Sequence, residues 1–541
     1  MKAKITYLLA AIALTIALTA CSSQSTNKSE EGSNNPPSKD GGTLIVGIES
    51  ETDVLDPHRA GGWVTMRVNN QMYEPLIGED LSKSSEEAPV PELIPVLAKE
   101  WEVSEDGKVY TFHLREGIKF HDGTPFNAQA VEFNVKRLTD KSFEYYDKLG
   151  AARTFRTWKF FESVKAVDEN TLQMTLSQPF SEFPRMLAQI NSLQIISPEA
   201  IKKYGNDGLG EHPVGTGPFK FEKRTRGEGI TLVKNEDYWG TKAHLDSVVF
   251  RPLSDSASRV LAIQNDEVDI IAVPPPDAIE NLKQKGYEIV SGTPPHVWYM
   301  TFNFENDIMK NQKVRQAINY AIDREGIANE LLKGTVHPAY TIQSPGNMGH
   351  DPNEKWYEYD PEKAKELLAE AGYKDGFTTT LRTSVDGSGQ LLPVDIAEWI
   401  QRDLKKVGID LKLDTKEWIS YFSQYNEGMP NDVGMNQMSS GRTTPYFLAM
   451  VAHSQFKAPG GFNSGKYINS NLDKVMDAAS TSVNEQEALE QWKKAEAMIM
   501  EDAAFAPIVN DSAPYVVHSR VKDFVVPAEE WYTLAPVWLG K

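Results

Sequence analysis

The chain has 541 residues, 40% of them hydrophobic, and a net charge of −20 from 56 basic and 76 acidic side chains. A surface that acidic makes nucleic acid and anionic membranes poor partners. The length exceeds what one core of about 250–300 residues supports, so more than one domain is expected. Cys21 is the single cysteine, which rules out an internal disulfide.

Lys2 and Lys4 precede an apolar run, Ile5 to Ala20, that closes on Leu18-Thr19-Ala20-Cys21. Basic residues, a short apolar stretch and a small-residue end make a secretory signal and not a membrane span. A cysteine at the cleavage point is the lipobox pattern, so Cys21 is expected to become a lipid-modified N-terminus. Ser22 to Gly42 has no large apolar residue and is expected to be a flexible tether. The protein would then reach a membrane only through its lipid, on the extracytoplasmic face.

Thr43 to Ile48 is β-rich and bounded by glycines, a buried strand by pattern. Asp56-Pro57 makes a turn, and Val64 to Tyr73 reads as a helix ending before Pro75. Trp63, in the glycine-flanked loop before it, suits either core packing or the wall of a binding site. Asp106-Gly107 turns one strand into the alternating run Val109 to Leu114. Asn127 is placed to cap a helix whose apolar face is Val131, Val135 and Leu138. His121 beside Asp122 invites a general-base reading, but no nucleophile or metal partner lies near in sequence, and a structural role is expected. Arg153, Phe155, Arg156 and Trp158 form a basic, aromatic patch, suited either to an anionic or aromatic ligand or to cation–π packing on a helix face.

Gly215, Gly217 and Pro218 mark a tight turn, followed by alternating strands around Phe219 to Phe221 and Ile230 to Leu232. From Leu245 to Gly286 strands and helices alternate, with Asp277 as a helix cap, which argues for an α/β lobe with a largely parallel sheet. Val297 to Asn303 is an aromatic strand, with Trp298, Met300 and Phe302 on one face and Val297, Tyr299, Thr301 and Asn303 on the other. Asp323 and Asp360 are placed as helix caps, and Gly372 as a helix stop. A strand-like run reaches Met438, then Arg442, Thr443 and Thr444, and Phe462, Asn463 and Tyr467 fall in a glycine-rich loop of the kind that forms pocket walls.

No P-loop, no Gly-x-Gly-x-x-Gly after a strand, no His-Glu-x-x-His and no Gly-x-Ser-x-Gly occurs. The ten histidines never pair at metal-ligand spacing. Nothing points to catalysis, a cofactor or a protein-built metal site.

Several stretches carry a resemblance: "LDP…YEPL" after the first strand, "PELIPVLAKEWEVSEDGKVYTFHLREGIKFHDGTPFNAQAVEFNVKRL", "VGTGPFKF…VKNEDYWG" and "VLAIQNDEVDII". In this order they resemble the large solute-binding proteins of bacterial ABC importers, the peptide/nickel-binding family (family 5), from about Gly41 to Lys541. The resemblance implies a two-lobed, periplasmic-binding-protein-like α/β fold with a smaller domain inserted into the first lobe. The expected divisions are signal peptide 1–20, tether 21–42, first lobe 43–73, inserted domain 74–211, first lobe again 212–297, second lobe 298–505 and first-lobe return 506–541.

It further implies a monomer that closes its cleft on a ligand and docks on a membrane permease. Trp63, Arg156, Trp158, Tyr299, Asn303, Met438, Arg442, Thr443 and Phe462 are the expected ligand-binding residues. Peptide-binding relatives commonly carry an aspartate for the ligand's α-amino group near residue 442. Here no acidic residue occurs from Val433 to Val451, and Arg442 takes the place. An arginine there favours a carboxylate, gripped by two parallel N–H···O bonds. The expected ligand is therefore peptide-like or carboxylate-bearing: an oligopeptide, an opine-like compound or a nickel chelate. A signalling-peptide receptor without uptake and a secreted hydrolase are the alternatives from other classes.

Overall fold

The glycine-bounded run at the start of the body forms strand Thr43–Ile48 in the computed structural model, which describes residues 39–540 apart from 388, 389, 513 and 530. The expected leader, Cys21 and the tether up to residue 38 fall outside the described residues. Thr43–Ile48 is the middle of a seven-stranded sheet, parallel to Ser247–Pro252 and Ile270–Ala272 on its two sides. Beyond them lie Gly229–Lys234 and Phe219–Thr225 on one flank, Tyr515–Val517 and Glu288–Val290 on the other, all antiparallel to their neighbours. The expected largely parallel sheet is therefore a mixed one. Its flanks come from a hairpin on one side and, on the other, from the C-terminal return and strand Glu288–Val290 paired to it, and antiparallel pairing needs no helical crossover.

The aromatic strand His296–Phe302 is buried along its whole length and divides two cores as its alternation requires. Trp298, Met300 and Phe302 pack with Val314, Ile318 and Ile400, whereas Val297 and Tyr299 face a core that includes Tyr421, Tyr425 and Met438. The strand lies within a six-stranded sheet, ordered His337–Pro338, Phe505–Asn510, His296–Phe302, Met435–Gly441, Phe377–Ser384, Ile409–Lys416. The chain thus passes from the first sheet to the second between Val290 and His296, and back between Asn510 and Tyr515.

A separate four-stranded antiparallel sheet is inserted between Thr43–Ile48 and Phe219–Thr225, ordered Ala98–Val103, Val109–Leu114, Thr171–Leu176, Phe161–Ala166. Helix Ala128–Thr139 covers it with Val131, Val135 and Leu138 buried, and the Asn127 side chain accepts from Ala130 N at 3.0 Å. Asp323 and Asp360 cap as expected. Asp277 does not: it falls inside the turn Pro276–Ala278, which the prolines fix, and helix Ile279–Gln284 starts with no side-chain cap.

The first helix, Trp63–Asn69, is shorter than expected. Its continuation is claimed by the 213–240 stretch: Gly217 N donates to Met72 O at 2.9 Å and Phe219 N to Gln71 O at 3.1 Å. A Cβ on Gly215 would stand 2.2 Å from Met72 O, so close backbone approach demands glycine there. The same stretch encloses buried Glu74, which accepts from Thr216 Oγ1 (2.7 Å), Tyr238 Oη (2.7 Å) and Trp239 Nε1 (2.9 Å). His121 belongs to this junction too. It is hydrogen-bonded to Gly217 O at 3.0 Å and takes the Gly215 N–H, a structural role.

One buried carboxyl gives the fold a pH signature. Glu496 accepts from Gln343 N (2.8 Å) and Gln343 Nε2 (3.0 Å), and burial pushes it up to about 7. Below about 4.5 the group holds its proton folded or unfolded. Between about 4.5 and 7 the folded state keeps a proton that the unfolded chain has lost, so stability falls as pH rises, and above about 7 the loss is complete. Glu496→Gln should match the wild type near pH 4 and exceed it by roughly 3 kcal/mol at pH 8, in urea denaturation at both pH values. A constant difference between the two proteins would refute this.

Candidate functional site

Gly61 and Gly62 bring the chain to the start of helix Trp63–Asn69, and Trp63 occupies the first helical position. Its ring stacks on Trp531, centroids 5.4 Å apart and planes 11° apart, and meets His296 edge-on at 4.4 Å. The Arg442 guanidinium lies over the Trp63 ring at 5.3 Å. Arg442 directly follows strand Met435–Gly441 of the six-stranded sheet, so this contact joins the two sheets' modules. Burial lowers the Arg442 pKa, while Glu529 and Glu79 favour its charge.

Arg156 approaches from the inserted module, just after helix Lys148–Thr154. Its guanidinium rests on the rings of Phe155 (4.9 Å) and Phe462 (4.8 Å). Burial pulls its pKa down to about 10, and the neighbouring Arg442 pulls in the same direction. Arg153, Arg156, Thr157, Gln189, Asn191, Ser192 and Arg442 surround a cavity of about 20 Å³.

Beside it two threonines join the second sheet's module to the inserted one. Thr443 Oγ1 donates to Glu79 Oε1 at 2.8 Å, and Thr444 Oγ1 to Glu182 Oε2 at 2.6 Å. Arg185 holds the same Glu79 oxygen at 3.1 Å. Burial raises the pKa of both carboxyls against these contacts.

Of the expected residues, Trp63, Arg156, Arg442 and Phe462 come together. Four others are used differently. Trp158 is a core residue of the inserted module, donating to Thr154 Oγ1 and packing edge-on against Phe161 and Phe183. Tyr299 is fully buried, its hydroxyl 3.3 Å from that of Tyr425. Met438 is buried opposite it on the adjacent strand. Asn303 spends its amide on Pro430 O and Val433 O, at 3.0 and 2.8 Å. Tyr299 and Met438 lie in strands buried along nearly their whole length, which present no face to this cavity, whereas Trp158 lies in the inserted module's core and Asn303 just beyond its strand. Thr443 holds Glu79 and does not line the cavity. Sequence reasoning missed His296, Trp531 and Gln189, which lie far apart in the chain and carry no motif.

A roomier cavity, about 430 Å³, lies between the inserted module and residues 482–489, with Tyr110, Phe180, Arg185 and Val483 among its walls. None of the residues expected from sequence lines it, and Arg185 is committed to Glu79 and Pro91 O. Among the described residues no helix is long and apolar enough to cross a membrane, and no group of three or more His, Cys, Asp or Glu side chains is placed to hold a metal.

Residues 92–458 match the model of the bacterial extracellular solute-binding proteins, family 5, middle region. The glutathione-binding protein GsiB of Salmonella typhi is 30% identical over 473 residues, 86% of this chain and 88% of the relative. The periplasmic binding protein DppA from Helicobacter pylori, solved with the peptide STSA, superposes with a TM-score of 0.83 at 29% identity, covering 93% of this chain and 99% of that one. AgaA from A. tumefaciens R10, solved with agropinic acid, gives a TM-score of 0.77 at 28% identity, covering 90% and 96%. The chain belongs to the family 5 extracellular solute-binding proteins. It is the substrate-binding component of an ABC importer and not an enzyme.

Proposed function

We propose that this protein captures a small peptide-like ligand bearing a carboxylate, by closing on it, and delivers it to a membrane permease while tethered through lipid on Cys21. The observation that carries the ligand class is Arg442, which lies over Trp63 at 5.3 Å and lines a small cavity with residues of the inserted module. Among the described residues Arg442 makes one hydrogen bond, to Gly441 O at 2.7 Å, which leaves donors of its fork to grip a carboxylate. Trp63 supplies the flat apolar floor beside it. The relatives' ligands, glutathione for GsiB and agropinic acid for AgaA, both carry carboxylates, which supports the reading.

The cavity of about 20 Å³ holds about one water, so a ligand enters only when the modules separate. Ligand then bridges them and shifts the population toward the closed form. The test is calorimetry with glutathione, agropinic acid and free-acid dipeptides against their amides or esters. Arg442→Ala should lower acid affinity about 10–100-fold, the size of a charge-assisted hydrogen-bond pair. Unchanged affinity in that variant, or equal binding of acid and amide, would overturn the proposal.

A further inference from the structure

We infer that the ligand is a dianion, one acidic group read by Arg442 and the second by Arg156, two guanidiniums that different modules of the fold bring to one cavity. The inference rests on the carboxylate reading above and sharpens it.

The fold treats its buried arginines differently from this half-buried pair. Arg324 donates to Pro507 O, Asn319 O, Tyr357 O and Asn319 Oδ1. Arg315 donates to four backbone carbonyls, as does Arg259. Arg137 is held by two carboxylates, a histidine and an asparagine. Arg156 stands apart: its Nε is buried with no hydrogen-bond partner, and what holds it is the faces of Phe155 and Phe462. Arg442 has the single bond to the neighbouring carbonyl. Both therefore keep donor capacity, and both line one cavity together with Thr157, Gln189 and Ser192.

Closure brings these two cations together from separate modules. In the unliganded protein their repulsion opposes closure, and Arg442 adds to the burial that lowers the Arg156 pKa. A ligand with one acidic group neutralises one of them. A ligand with two neutralises both, and so gains affinity and releases the resistance to closure together. Glu79 and Glu529 act on Arg442 and not on Arg156, which leaves Arg156 as the residue that discriminates.

The experiment compares glutathione and Ala-Glu, each with two carboxylates, against glutathione glycine ethyl ester and Ala-Gln, in the wild type, Arg156→Gln, Arg156→Lys and Arg442→Gln. The wild type should prefer each diacid about 10–100-fold. Arg156→Gln should bind diacid and monoacid alike, and Arg156→Lys should restore part of the preference. In parallel, X-ray scattering of the unliganded proteins at low salt should show Arg156→Gln more compact than the wild type, and Arg156→Lys like the wild type. Equal wild-type affinity for diacid and monoacid, with loss confined to Arg442→Gln, would overturn the dianion inference and leave carboxylate capture standing. Affinities untouched by Arg442→Gln would overturn both. No binding of either diacid, or no scattering difference between Arg156→Gln and the wild type, would also overturn the inference.

Discussion

Arg137→Met should destabilise the protein by about 3–5 kcal/mol, the range for breaking a buried ion pair from one side. Arg137 is fully buried, as is Asp56, and Asp147 is 1% exposed. The guanidinium donates to Asp56 Oδ2 at 2.6 Å, Asp147 Oδ2 at 2.9 Å and Asn206 Oδ1 at 2.8 Å, and one of its nitrogens lies 2.9 Å from His58 Nδ1. Arg59 shares Asp147 but stands 4.0 Å from Asp56. Removing Arg137 therefore leaves Asp56 buried without an adequate cation. Arg137→Met/Asp56→Asn should cost less than the sum of the single changes, because the second change removes the stranded charge. Urea denaturation of the four proteins measures both. Strict additivity, or a loss below about 1 kcal/mol for Arg137→Met, would mean that the cluster is not acting as a charge network.

Gly441→Ala should be comparably damaging, and it should weaken ligand binding as well. Gly441 pairs with His296 at the start of the strand that enters the second sheet. A Cβ there would stand 1.5 Å from Pro295 O and 2.4 Å from its carbonyl carbon. Those are backbone atoms at the crossing between the two sheets, so the strands must part, at a cost above the ~1–3 kcal/mol of ordinary overpacking. Arg442 is the next residue and moves with the strand. Gly460→Ala is the control, since its nearest atom is Lys457 O at 3.6 Å. If Gly441→Ala melts within about 1 °C of the control, the close approach does not constrain this segment.

Much of the fold was legible because its signals are local. Asn127, Asp323 and Asp360 cap the helices that their spacing announced. The alternation in His296–Phe302 divided Trp298 and Met300 from Val297 and Tyr299, and the two groups do face different cores. Asp277 misled because the neighbouring prolines, and not its side chain, set the backbone. The sheet's mixed pairing was hidden because pairing is a long-range fact: Tyr515–Val517 inserts beside Ile270–Ala272 from the far end of the chain.

The candidate binding residues divide along the same line. Arg442 was recognisable because a cation stands where the family pattern commonly has an acid. Arg156 and Phe462 were visible as types in a basic, aromatic patch and a glycine-rich loop. That Trp158, Tyr299, Met438 and Asn303 are packed or hydrogen-bonded away from this cavity depended on which faces the packing covers, and the sequence carries no mark of that. By itself the sequence determined the acidic character, the order of the elements and the caps at Asn127, Asp323 and Asp360, because composition and local periodicity carry them, and its motifs carried the resemblance to the family. Only the tertiary structure decided that Arg156 and Arg442, 286 residues apart in the numbering, share one small cavity. Their meeting depends on how separate modules close, and the repulsion between two charges exists only where folding brings them together.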